Sequence, residues 1–318
     1  MFDPPERCGD VRSFAADSPE YGTALQLLLN DGAEALPRGA QSLVTEFLDD
    51  AQRRGLSTDL MVGVADKGRV NTATLAVISP GRAALVLVPP RFESLHRGAL
   101  ECALRRLLAL CWARRVVLAE LLVSPDCEAL PHSAAAAGFR FLTQLIYLRR
   151  STTVDSPARS TPAADLQWIT HRAEGERFFE TAVAATYAES LDCPELTGLR
   201  PMADVLATHQ AAGDFDPSLW TVAQRAGVPV GVILGASLPR HRAVEIVYMG
   251  VAPAARGTGV GDALLQRAVR LSRGIGATTM ALAVDGRNAP ARAMYARWGF
   301  QDVGSRDAWI ATSDAAEA

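Results

Sequence analysis

The 318-residue sequence has no excess of basic charge, no paired cysteine spacing and no long uninterrupted apolar run. A formal net charge of −3 provides no basic field, which excludes nucleic acid as the expected partner. The five cysteines (Cys8, Cys102, Cys111, Cys127 and Cys193) form no CxxC pair, and the opening "MFDPPERCGD" lacks the apolar run of a secretion signal. Together they predict reduced thiols in a cytoplasmic protein. The most apolar stretch, "LRRLLALCWARRVVLAELLV", is interrupted by arginines well short of the roughly 20 residues a membrane span needs. His96, His132, His171, His209 and His241 show no metal-ligand spacing and no HExxH occurs, so no metal is expected.

What is present suits a globular enzyme: 49% hydrophobic residues and 21% charged, over a length comfortable for two domains. The Ser-, Thr- and Pro-rich stretch "RRSTTVDSPARSTPAAD" has no apolar period and reads as a linker. This divides the chain into a module at 1–150, a linker at 151–164 and a module at 165–318. In the second module the apolar periods predict the order βααβββαβαβ, with a helix from about Gly259 to Ile275, another at "NAPARAMYARWG" closed by Gly299, and a final strand pair in "FQDVGSRDAWIA". The first module follows a similar order from "LMVGVAD" to a last strand in "GFRFLTQLIYL". Laying Val88-Pro89-Pro90 on Val251-Ala252-Pro253 sets an offset of 163 residues, and laying Gly138-Phe139 on Gly299-Phe300 sets 161, which predicts an internal duplication.

The stretch "VYMGVAPAARGTGVGDALLQRAV" passes from a strand through a glycine-rich turn into a helix. A dinucleotide fingerprint starting at Gly257 needs glycine where Asp262 stands, and a triphosphate loop needs a lysine that is absent. What stands is Arg256-Gly257-Thr258-Gly259-Val260-Gly261, an R-x-x-G-x-G run. Glycines let the main chain approach an anion, and the first N–H groups of the helix have no intrahelical acceptor, so Gly259 to Asp262 are placed to hold a diphosphate. The same residues also suit a plain strand-to-helix corner.

The run "MGVAPAARGTGVGDALL", with the later "NAPARAMYARWGF", resembles the acyl-coenzyme-A signature of the GNAT superfamily of N-acyltransferases over about residues 165–311. The resemblance implies a mixed α/β fold (an α+β mixed sheet) built as two tandem GNAT-like modules. It implies acetyl-CoA as acyl donor, held by Val251, Arg256, Gly257, Thr258, Gly259, Val260, Gly261, Asp262 and Asn288. It also implies a bulged, splayed strand at "MGV", where Gly250 is the expected bulge position. Tyr295 matches the tyrosine that protonates the departing thiolate, although an aromatic packed on the sheet fits its position too. Asn288 serves equally as helix N-cap or as a contact to the coenzyme arm.

Acyl transfer to an amine requires an unprotonated nitrogen, and an alkylammonium with a pKa near 10 leaves only about one part in a thousand free at neutral pH. A carboxylate that removes the proton meets this need. Glu245 is the candidate base, sharing one strand face with Val247 and Met249 under a period of two, although a lone Glu there also fits a solvated edge. The loop "YAESLDCPELTGLR" carries Glu189, Asp192 and Glu195, which attract a cationic amine or simply face solvent, and Cys193 reads as a small loop hydrophobe. At an offset of 163, Arg256 to Gly261 fall on Glu93-Ser94-Leu95-His96-Arg97-Gly98 and Glu245 on Arg82; at 161, Tyr295 falls on Ala134. The first module is therefore expected to be degenerate. The expected activity is N-acetyl transfer to a small-molecule or protein amine by a monomer or homodimer, the alternative being a non-catalytic acyl-CoA-binding sensor or assembly module.

Overall fold

The computed structural model describes residues 11–29, 37–66, 69–90, 97–153 and 165–313. The elements are β1 (Val11–Phe14), α1 (Pro19–Leu29), α2 (Pro37–Arg53), β2 (Ser57–Asp66), β3 (Arg69–Ile78), β4 (Ala83–Leu87), α3 (Arg97–Ala113), β5 (Leu118–Val123), α4 (Leu130–Ala137) and β6 (Arg140–Ser151). There follow β7 (Gln167–Thr170), α5 (His171–Glu174), α6 (Glu176–Tyr187), α7 (Met202–Gln210), β8 (Trp220–Arg225), β9 (Val228–Leu238), β10 (Ala243–Val251), α8 (Val260–Gly274), β11 (Thr279–Asp285), α9 (Ala289–Arg297) and β12 (Gln301–Thr312). The chain divides into two compact units, one of Met1–Leu142 with Arg306–Ala318 and one of Thr143–Ser305.

In the first unit the strands run in the order β1-β2-β3-β4-β5-β12. The entry β1-α1-α2, which the sequence pattern does not show, places two helices after the opening strand, where three (α5, α6 and α7) follow β7. Its core gathers Leu100, Leu104 and Leu107 of α3 against Val62, Val86 and Leu121 of the sheet, all buried. In the second unit the order is β6-β11-β10-β9-β8-β7. Val260, Leu264, Leu265 and Val269 give α8 one apolar face, which packs on Ile233, Ile246, Met280 and Leu282 of the sheet. Each such leucine contributes about 1.5–3 kcal/mol by leaving water. Gly231 permits the close approach: a Cβ there would lie 2.8 Å from Val260 Cγ1 and 2.9 Å from Leu264 Cδ1.

Two expectations are corrected by strand pairing. The segment "GFRFLTQLIYL" forms β6, but Leu145–Ser151 pair antiparallel with β11 of the second unit. "FQDVGSRDAWIA" is one strand, and Asp307–Thr312 pair with β5 of the first unit. The two segments thus find partners outside the modules to which sequence proximity assigned them. Of the linker at 151–164, residues 154–164 lie outside the described residues. A third correction concerns the thiols: Cys111, Cys127 and Cys193 are free, but Cys102 is disulfide-bonded, so the chain is not reduced throughout.

The repeat is visible in main-chain detail. The Phe139 N–H donates to Ala134 O at 3.0 Å, and the Phe300 N–H donates to Tyr295 O at 3.0 Å, so these two helix ends close alike at the offset of 161 that pairs Tyr295 with Ala134. On the strand before the turn the offset is 160. Arg82 and Arg242 both adopt positive φ (55° and 47°), and their carbonyls accept from Val117 N–H at 2.9 Å and Thr278 N–H at 2.7 Å. Ala83 then pairs with Leu118 as Ala243 pairs with Thr279. Glu245 therefore corresponds to Leu85, not Arg82. The counterpart of the glycine turn, from Glu93 to His96, lies outside the described residues.

Candidate functional site: a cavity where two strands part

β10 and β11 are hydrogen-bonded as parallel neighbours only from Ala243–Ile246 to Thr279–Leu282. At Val247 the register of β10 against β9 shifts: Ile246 faces Gly235, yet Tyr248 faces Leu234, so Val247 is an extra residue. This corrects the expected bulge at Gly250. Gly250 is small for another reason: a Cβ there would lie 2.5 Å from both Thr186 Oγ1 and the Tyr248 hydroxyl. The extra residue also resets the alternation. Val247 and Tyr248 both pack against the cluster that contains Phe179 and Trp220, whereas Met249 packs against the α8 cluster that contains Ile246. Met249 thus does not share a face with Val247, contrary to expectation.

Beyond the bulge the strands part around a cavity of about 580 Å³. One wall is the free side of β10 from Val247 to Val251, and the opposite wall is Leu282 to Val284 of β11. At one end stands the glycine turn. Gly257 and Gly259 adopt φ of 75° and 85°, a region that favours glycine, and Gly259 is the N-cap of α8. The first helical bond joins Ala263 N–H to Gly259 O at 3.0 Å, which leaves the N–H groups of Val260, Gly261 and Asp262 without an acceptor in the helix. Gly261 is pressed by α9: a Cβ would lie 2.9 Å from Met294 Sδ.

The sequence-selected residues separate into groups. Val251, Arg256, Gly257, Gly259, Gly261, Asp262, Asn288 and Tyr295 line the cavity. Thr258 and Val260 do not; the Thr258 hydroxyl donates to Ala255 O at 2.7 Å, and the Val260 side chain is buried in the α8 core. Arg256 acts as a strut, donating to Val251 O at 3.1 Å, Glu189 O at 3.0 Å and Ala188 O at 2.6 Å. The Asp262 carboxylate accepts from Trp298 Nε1 at 2.6 Å, which commits its side chain and leaves its main-chain N–H without an acceptor in the helix. Asn288 caps α9, its Oδ1 accepting from Ala291 N–H at 3.2 Å. Tyr295 is buried on α9 against the Phe300 ring; burial first, then the Asp192 charge, raises its hydroxyl well above the ordinary tyrosine range, so it stays protonated. Glu245 is half-buried, pairs with Ala236 and Ala281 before the bulge, and does not line the cavity.

Sequence reasoning gave the mouth of the cavity too little weight. Asp192 lines it, with Oδ1 accepting from Asp285 N–H at 2.8 Å and a further hydrogen bond from the Asn288 side chain. Enclosure against the wall raises the Asp192 carboxyl, although the residue as a whole stays open to solvent. Asp285 has no exposure. Its burial acts to raise its pKa, but hydrogen bonds from Arg287, Thr143 and the main chain outweigh that and bring it to about 2. Arg287 spans the Asp285 carboxylate at 2.7 Å and that of Glu195 at 2.7 and 3.0 Å, tying the acidic loop to the end of β11. The only sequence signal for this was the acidic content of "YAESLDCPEL".

The described residues include no cluster of three or more His, Cys, Asp or Glu able to hold a metal, and no helix long and apolar enough to cross a membrane. Residues 183–300 match the acetyltransferase (GNAT) family model. The chain is 31% identical over 173 residues to a mycothiol acetyltransferase of Streptomyces bingchenggensis, spanning 53% of this chain and 54% of that protein. It is 28% identical to one of Streptomyces coelicolor, over 93% of each chain. A solved tandem GNAT protein from the clavulanic acid biosynthesis pathway has the same fold, with a TM-score of 0.55 and 17% identity over 95% of this chain and 98% of that one. Residues 183–300 thus match the acetyltransferase (GNAT) family within a fold of two GNAT-like modules, and the chain is weakly similar to the mycothiol acetyltransferases.

Proposed function

We propose that the second unit moves an acetyl group from acetyl-CoA to a primary amine by direct attack in a ternary complex. The carrying observation is that the unsatisfied N–H groups at the start of α8 and the buried Tyr295 hydroxyl meet one cavity, opened by the parting of β10 from β11. Positive φ at Gly257 and Gly259 and the absent Cβ at Gly261 make a cradle that suits a diphosphate. From Val247 to Val251 the β10 edge has no β11 partner, and an amide-bearing arm suits it as an added strand. The thioester then arrives near Tyr295, which gives its proton to the departing sulfur. Val251 and Asn288 border this path. Glu245 stands before the bulge and off the cavity wall, so it reaches the amine only through water.

The relatives' name supports a small-molecule amine as the acceptor. The first unit, with Ala134 in place of Tyr295, is a degenerate module, and one coenzyme per chain is expected. The test is calorimetry with acetyl-CoA on the whole protein and on its Gly259→Val and Gly261→Val variants, followed by thiol release with a panel of amines. The expected result is one site per chain and an affinity lowered at least tenfold in each variant, about 1.4 kcal/mol. Unchanged affinity overturns the reading. Binding without thiol release for any amine replaces it with a non-catalytic acyl-CoA sensor.

A further inference from the structure

We propose that Asp192, together with the Tyr248 hydroxyl oxygen on the same cavity, receives the ammonium of the acceptor and that Asp192 takes its proton, so that the site selects cationic primary amines. This rests on the acetyl-transfer reading above and names the substrate class of that same cavity.

The first support is hydrogen-bond accounting. Asp192, Tyr248 and Tyr295 all line the cavity. The Thr186 hydroxyl donates its one hydrogen to Val183 O at 2.8 Å. In the 2.8 Å contact between Thr186 Oγ1 and Tyr248, the Tyr248 hydroxyl must then be the donor. Its own oxygen keeps lone pairs for the cavity and has no hydrogen left to offer. The Asp192 carboxylate is likewise an acceptor, fixed by Asp285 N–H at 2.8 Å and by the Asn288 amide. A wall built of acceptors calls for a donor.

The second support is charge. Asp192 has no ion-pair partner within 4.0 Å among the described residues, while the two neighbouring guanidinium groups are committed elsewhere. Arg287 holds Asp285 and Glu195, and Arg256 holds three main-chain carbonyls. The groups that face Asp192 are Asp285 of β11, which is already neutralised by Arg287, and the hydroxyls of Tyr187, Tyr248 and Tyr295, all of which feel its charge. Its negative charge is therefore left for the ligand to balance. Of the other carboxylates on the cavity, Asp262 is held by Trp298 Nε1 at 2.6 Å, and Glu189 already lies 3.9 Å from the Arg256 guanidinium.

The step balances as follows. R–NH3+ gives one proton to the Asp192 carboxylate, leaving R–NH2 and the carboxylic acid. The nitrogen lone pair forms a C–N bond at the thioester carbon while the C–S electrons pass to sulfur. Sulfur takes the Tyr295 proton, and the surplus proton on the acylated nitrogen restores that phenol. Asp192 releases its proton to solvent, so each turnover yields amide, free thiol and one proton.

The test uses the whole protein with acetyl-CoA, a panel of primary amines that are cationic at pH 7, and acyl hydrazides that are neutral there. Asp192→Asn is expected to lower kcat/KM for the cationic amines by on the order of 100-fold, to leave the hydrazides within about fivefold, and to abolish the acidic limb of the pH profile. Binding of acetyl-CoA by calorimetry checks that the variant is folded. Tyr248→Phe, which keeps the stacked ring, is expected to raise KM for amines about tenfold with little change for hydrazides. Equal losses for both nucleophile classes, no loss in either variant, or an amine-specific loss in Glu245→Gln with Asp192→Asn silent would each overturn the proposal. Failure of the unaltered protein to release thiol with any amine overturns the acetyl-transfer reading instead.

Discussion

The Arg256 guanidinium and the main chain of Glu189 are 67 residues apart in sequence and joined by a 3.0 Å hydrogen bond from Nη1. With the 2.6 Å bond to Ala188 O and the 3.1 Å bond to Val251 O, one side chain fixes the end of β10 against the acidic loop. The ion pair with the Glu189 carboxylate, at 3.9 Å and exposed, adds little. Arg256→Met keeps the length and removes the donors. It is expected to cost about 1–2 kcal/mol in chemical denaturation and to open residues 188–200 to proteolysis. Loss of acetyl-CoA affinity with an unchanged cleavage pattern would reveal a direct coenzyme contact instead.

Gly250 makes a sharper test of the cavity wall. A Cβ there meets Thr186 Oγ1 and the Tyr248 hydroxyl, both at 2.5 Å, and these two are bonded to each other. Gly250→Ala is expected to destabilise the fold by about 1–3 kcal/mol and to raise KM for the amine more than for acetyl-CoA. Denaturation midpoints and steady-state kinetics measure the two effects separately.

Tyr295→Phe removes one oxygen from a buried ring that packs on Phe300 with centroids 5.4 Å apart. The ring packing persists, so stability should change little. If the hydroxyl protonates the leaving sulfur, kcat falls by about 10²–10⁴-fold while KM for acetyl-CoA moves less than about threefold. A fall in affinity with kcat intact would leave the tyrosine a purely structural part.

His209 predicts how the second unit responds to acid. It stacks on Tyr248 with centroids 5.8 Å apart, and burial, then the Arg200 charge, lowers its pKa to about 4. The folded chain therefore holds a neutral imidazole while the unfolded chain titrates near 6.5. Its contribution is full above pH 6.5 and is lost as pH falls from there toward 4. His171, lowered chiefly by burial among Phe179, Phe215 and Trp220, shifts in the same direction. Denaturation midpoints between pH 7 and 4 should decline, and His209→Phe should flatten part of that slope. An unchanged slope refutes the assignment.

The glycine turn was legible because its information is local. Positive φ at Gly257 and Gly259 has a composition signature, and so do the N-cap at Asn288 and the helix stop at Gly299. The bulge was not legible at Val247, since an extra residue is defined by the opposite strand and leaves no mark on its own side chain. The same reason hid the exchange of β6 and β12: two apolar strands of alternating burial carry no label for a partner more than 100 residues away. Asp192 looked like any loop carboxylate until Asp285, 93 residues on, was seen to hold it. Glu245 suits a base by residue type and by its strand, but it sits before the register shift and off the cavity wall, which only the pairing with β9 and β11 reveals.

The pairing of β6 with β11 and of β12 with β5 bears on any attempt to dissect the chain. A gene cut after residue 150 would deny the downstream fragment Leu145–Arg150, and with them the ladder along β11. Trimming the last 13 residues of the other unit, Arg306–Ala318, would bare the rim of β5. Truncations designed from the repeat boundary would therefore report on severed ladders before they reported on catalysis. Ligand titrations are better made on the uncut polypeptide.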